Sequence, residues 1–81
     1  MALTATSART VNSSSFAFAF MDATALALDA ETMEGHARLR ALRGAYRRLY
    51  TAGEYAESAF EKSLVDNLQR SLDVLEVEVA A

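Results

Sequence analysis

The chain has no cysteine, no proline and no tryptophan, and only three glycines and one histidine. The missing cysteine excludes disulfide scaffolds, thiol nucleophiles and cysteine-based zinc sites. A small chain without disulfides also fits a reducing, cytoplasmic setting. Without proline and with few glycines, turn signals are scarce, and the abundant alanine, leucine and arginine favour helix. With His36 as the one histidine, any imidazole-based acid–base or metal scheme rests on a single side chain. A Glu-x-x-His pair, which di-metal helical bundles use, is absent. So are a phosphate-cradling glycine loop and a dinucleotide fingerprint. Ser13, Ser14 and Ser15 have no neighbouring general base to make a nucleophile. These absences point to a protein that is not an enzyme and takes no cofactor.

Long apolar runs are also missing. Residues 16–28 are apolar except for Asp22 and Thr24, and crossing a membrane takes roughly 20 apolar residues. No membrane span is expected. The first 21 residues carry one arginine and no acid, loosely like a targeting segment, but Asp22 interrupts the apolar stretch that follows. Eighty-one residues make one domain. So short a chain buries a modest core, and helical chains of this size often complete theirs by oligomerising.

What is present is helical periodicity. Leu39, Leu42, Tyr46 and Leu49 recur at spacings of three, four and three, one face of a helix. Carried backwards, the same register takes in Met21, Ala25, Leu28, Thr32 and Gly35. A second stripe runs through Phe60, Leu64, Leu68, Leu72, Leu75 and Val79. Thr51, Ala52 and Gly53 lie between the two, and Gly53 can take the left-handed conformation that ends a helix. A connection this short makes the two arms antiparallel neighbours. Folding there brings Arg47 towards Glu57 and Arg43 towards Glu61, for two exposed ion pairs worth about 0–1 kcal/mol each.

Residues 1–15 are small and polar and read as a flexible tail. Phe16, Phe18 and Phe20 alternate with alanines, which suits either a strand or the start of a helix. The alanine content and the continuation through Met21 favour the helix. Gly35 marks a possible bend, and Gly44 removes bulk in a way that permits close helix packing. The tail from Val74 alternates again, as fraying helix or a short strand. The expected fold is therefore all-α: an antiparallel helical hairpin or small three-helix domain, completed by oligomerisation. Its helices lie near residues 16–28, 30–51 and 54–77, within one domain over 16–81.

Charge is unevenly spread. The net charge is −3. Residues 35–53 hold five arginines and no acid, whereas residues 54–81 hold seven acids against Lys62 and Arg70. His36, Arg40, Arg43 and Arg47 share one side of the first arm. The expected function is a small protein–protein interaction module, an adaptor, assembly or regulatory subunit. Its partner is another protein or further copies of itself. Phe16, Phe18 and Phe20 are the expected contact residues, and Arg40, Arg43 and Arg47 the electrostatic ones. One alternative is binding of nucleic acid or another anion through Arg38, Arg40, Arg43, Arg47 and Arg48, with Tyr46 and Tyr50 interleaved. It is disfavoured by a pI near 5.0 and by the absence of a reader motif. A further alternative is a small acidic inhibitor of a nucleic-acid-handling enzyme, drawing on Glu54, Glu57, Glu61, Asp66, Asp73, Glu76 and Glu78.

Overall fold

Two breaks, at residues 33–34 and 56–58, divide the chain into three helices in a computed structural model that describes the backbone of residues 2–80 and the side chains of residues 14–78. Helix α1 runs Ala2–Thr32, α2 Gly35–Tyr55 and α3 Ala59–Ala80. The protein is an all-α, three-helix domain with no strand among the described residues. The alternating phenylalanines and the alternating tail from Val74 both lie in helix. Residues 2–15, read above as a flexible tail, form the first part of α1, and the side chains of residues 1–13 lie outside the described set.

The first break has two physical causes. Gly35 sits at φ +60°, a conformation that costs other residues roughly 1–2 kcal/mol. Arg38, in the first turns of α2, then reaches back over the end of α1. Its Nε donates to the carbonyls of Ala30 and Met33, both at 2.8 Å, and its Nη2 to that of Glu31 at 3.1 Å. These are among the carbonyls that a helix C-terminus leaves unpaired. The second helix therefore starts at Gly35 and not near residue 30.

The second break falls at residues 56–58, beyond the Thr51–Ala52–Gly53 position expected from sequence. Gly53 stays inside α2. The helix turns over where Ala56 takes an extended conformation, φ −68° and ψ 123°. Helix α3 then opens on a reciprocal cap. The Glu61 amide donates to Ser58 Oγ at 3.0 Å, while Glu61 Oε1 accepts from the Ser58 amide at 3.1 Å and the Glu57 amide at 2.9 Å. This is the Ser-x-x-Glu capping box, and it fixes the start of α3 more firmly than a glycine could.

The tightest packing is between α1 and α2, with weaker contacts between α2 and α3 and between α1 and α3. The second and third helices do pair, as their short connection predicts, but more loosely than the first two. The reason is alanine. On α1, Ala23, Ala27 and Ala30 are buried, and on α2 Ala41, Ala45 and Ala52. Short side chains at an interface let two helix axes approach closely. Gly44 extends this: a Cβ there would lie 3.1 Å from Leu26 Cδ1. Leu42 and Leu49 of α2 and Leu72 of α3 fill the remainder, with Val65, Leu68 and Leu75 packed against them. The molecule is a rod of 55 × 20 × 16 Å.

The α2 face formed by Leu39, Leu42, Tyr46 and Leu49 turns inward, Leu42 and Leu49 fully and the other two half-buried. Its backward extension does not. Met21, Ala25 and Leu28 are exposed, because the break at Gly35 resets the register between α1 and α2. On α3, Leu68, Leu72 and Leu75 face the core, whereas Phe60 is 71% exposed. The Val79 side chain lies outside the described residues.

Candidate functional site

Helix α1 has two apolar seams on opposite sides. The inner one is Phe16, Phe20, Ala23, Ala27 and Ala30, at spacings of four, three, four and three. It is buried or half-buried throughout, and the rings of Phe16 and Phe20 stack at 5.5 Å with 13° between planes. The outer seam is Phe18, Met21, Ala25 and Leu28, at three, four and three. Both follow the heptad spacing that keeps a stripe on one helix face. The outer one is open: Phe18 is 70% exposed, Met21 64% and Leu28 58%.

The three phenylalanines therefore separate. Two residues along a helix turn a side chain by about 200°, so Phe18 points away from its neighbours. Phe16 is 5% exposed and Phe20 packs against the core. Met21 and Leu28 are surface residues although periodicity alone places them in the core register. The signal that identifies them is the alanine pattern: Ala23, Ala27 and Ala30 continue the Phe16–Phe20 spacing and leave Met21 and Leu28 on the other side.

Exposed acids flank the outer seam. Asp22 and Asp29 each follow a seam residue directly, and Glu31 lies on the other edge. No lysine or arginine occurs between Arg9 and Arg38.

Arg40, Arg43 and Arg47 are all exposed, as is His36, and their spacings of four, three and four keep them on one side of α2. Arg38 does not join them, since its guanidinium caps α1. Glu61, expected near Arg43, spends its Oε1 on the amides of Glu57 and Ser58. Those two backbone bonds hold its carboxyl below the usual range.

Between α2 and α3 the Tyr46 hydroxyl lies 2.6 Å from Asp73 Oδ1 and 3.0 Å from Glu76 Oε2. Gln69 Nε2 donates to the same Asp73 oxygen at 3.2 Å. Burial first, then the hydrogen bonds to Asp73 and Glu76 and their charges, push the Tyr46 phenol well above its ordinary range. The phenol stays protonated and ties α2 to α3. Tyr46, Leu49, Tyr50 and Val65 line an open groove beside it. Among the described residues, no group of three histidines or acids is arranged to hold a metal ion. Nor is any helix long and apolar enough to cross a membrane.

No family model, curated protein or solved structure matches the chain.

Proposed function

We propose that the protein is a small non-enzymatic interaction module, an adaptor, assembly or regulatory subunit that acts through the surface of its helical bundle. The observation that carries this reading is the outer seam of α1. Phe18, Met21 and Leu28 stand more than half exposed on one helix face. Fully burying side chains of this kind is worth roughly 1.5–3 kcal/mol each. A monomer forgoes that gain, and a partner recovers it. Aligned apolar residues at helical spacing are the anchors used when one helix docks on another. Either a second copy or a different protein satisfies this reading, and the absence of cysteine suits a reducing, cytoplasmic setting.

The exposed row of Arg40, Arg43 and Arg47 favours a second reading, contact with an anionic partner such as nucleic acid. It supplies charge without an apolar anchor, so it ranks below the seam.

Affinity capture from source cells tests both. The chain, its Phe18→Ser/Leu28→Ser variant and its Arg40→Gln/Arg43→Gln/Arg47→Gln variant are compared with and without nuclease. The expected result is a protein partner that survives nuclease and is lost with the seam variant. Capture that disappears with nuclease and with the arginine variant transfers the function to α2. Equal capture by all three chains contradicts both readings.

A further inference from the structure

We infer that the outer seam of α1 receives a cationic amphipathic helix from a different protein, and not a second copy of this chain. This rests on the interaction-module reading and names the partner's chemistry. The seam residues Phe18, Met21, Ala25 and Leu28 set the apolar half of the requirement. The flanks set the other half. In a paired helix the residues beside the seam meet the partner's flanking residues, and their charges decide which partner is accepted. Here Asp22 and Asp29 occupy one flank, and Ala17, Thr24 and Glu31 the other.

Self-pairing leaves those acids without a counter-charge. In a parallel pair each flank faces the opposite flank of the other copy, so Asp22 and Asp29 meet alanine, threonine or glutamate. In an antiparallel pair each flank faces its own kind, and the aspartates meet aspartates. Neither arrangement brings a lysine or arginine into reach, because none occurs between Arg9 and Arg38.

The other helices of a second copy do no better. The basic side of α2 carries Arg40, Arg43 and Arg47, but its large exposed apolar side chains are only Tyr50 and Tyr55. On α3 the exposed Val74 and Val77 sit among Asp73, Glu76 and Glu78, and the exposed Phe60, at the other end of the helix, sits beside Glu57 and Glu61. Among the described residues, then, no face of this chain is both apolar at helical spacing and basic at its edges. A helix with leucine-like anchors and lysine or arginine beside them has both properties.

The test uses the full-length chain and two synthetic peptides of about five turns, roughly 18 residues. Both carry the same leucine seam; one has lysine at the flanking positions and the other glutamate. Binding is read by fluorescence anisotropy, and the mass of the chain alone by sedimentation velocity. The lysine peptide is expected to bind at least about tenfold more tightly than the glutamate peptide, with the difference shrinking as salt rises. Asp22→Lys with Asp29→Lys is expected to reverse the ranking. Phe18→Ser with Leu28→Ser is expected to abolish binding of both while circular dichroism stays unchanged. A ranking that ignores the charge reversal overturns the inference. So does a chain that sediments as a dimer and becomes monomeric with the seam variant; in that case a second copy is the occupant and the interaction-module reading survives. A monomeric chain that binds neither peptide overturns both.

Discussion

Tyr46 of α2 and Asp73 of α3 are joined by a 2.6 Å hydrogen bond across the looser of the two sequential helix pairs. Glu76 accepts from the same hydroxyl at 3.0 Å, so one phenolic proton serves two carboxyl groups. Removing the hydroxyl with Tyr46→Phe leaves the ring's packing intact and is expected to cost about 1 kcal/mol, the usual net worth of one such bond. Urea unfolding of the two chains measures it.

The same bond predicts a response to alkali. Because the folded chain holds the Tyr46 phenol above its ordinary range, its contribution is complete below the unfolded pKa of about 10. That contribution is lost as pH rises through the folded value. Stability is therefore expected to fall above about pH 10, and Tyr46→Phe is expected to make that fall shallower. Urea midpoints taken through this range show which holds.

Arg38 and Arg40 are two residues apart and have different duties. Arg38 closes three carbonyls at the end of α1, whereas Arg40 is exposed on the outer side of α2. Arg38→Ala is expected to lower stability by about 1–2 kcal/mol through the lost charged hydrogen bonds. Arg40→Ala is expected to stay within about 0.5 kcal/mol of the parent. Equal effects in thermal unfolding would show that the cap is not holding the break.

The start of α3 depends on Ser58 and Glu61 together. Ser58→Ala removes the cap oxygen and is expected to cost about 1 kcal/mol. Glu61 has its carboxyl pKa lowered by the Glu57 and Ser58 amides. Its contribution is thus present above the ordinary carboxylate pKa and disappears as pH falls through the lowered one. Glu61→Gln is expected to flatten the acid limb of the stability profile, which denaturant midpoints between neutral and acid pH would reveal.

The approach of α1 to α2 is tested at Gly44. A Cβ added there would lie 3.1 Å from Leu26 Cδ1, and a branched side chain needs more room. Gly44→Val is expected to destabilise by about 1–3 kcal/mol through overpacking. Gly35→Ala is expected to cost about 1–2 kcal/mol for a different reason, its positive φ, since nothing lies near enough to obstruct the added carbon. If Gly44→Val unfolds like the parent, the two helices lie further apart than described.

Helix content and two of the three core faces were legible in the sequence. The Leu42–Tyr46–Leu49 spacing and the Leu68–Leu72–Leu75 spacing each define the main apolar stripe of their helix. On α1 periodicity could not choose, because apolar residues recur on both sides and the side that packs is built mostly from alanine. Volume decides there: alanines allow close contact with α2, which Met21 and Leu28 would prevent. The α2–α3 break lies beyond Gly53, a residue that resembles a helix terminator, because the sequence Ser58-Ala59-Phe60-Glu61 holds the stronger signal of a capping box. Arg38 looks like the other arginines in sequence, because nothing local tells a capping guanidinium from a solvated one. That distinction arises only when Gly35 turns α2 back beside α1.

The most direct measurement uses the absence of cysteine. Single variants Met21→Cys and Leu28→Cys on the outer face, and Ala23→Cys and Ala27→Cys on the inner face, each supply one thiol whose alkylation rate reports its exposure. The outer pair is expected to react at rates close to a free thiol, and to slow when the lysine-flanked helix is added. The inner pair is expected to react only through opening of the bundle, slower by about a hundredfold or more. Equal rates on the two faces, or faster reaction at Ala23→Cys and Ala27→Cys, would contradict the two-faced α1 on which the proposed docking surface rests.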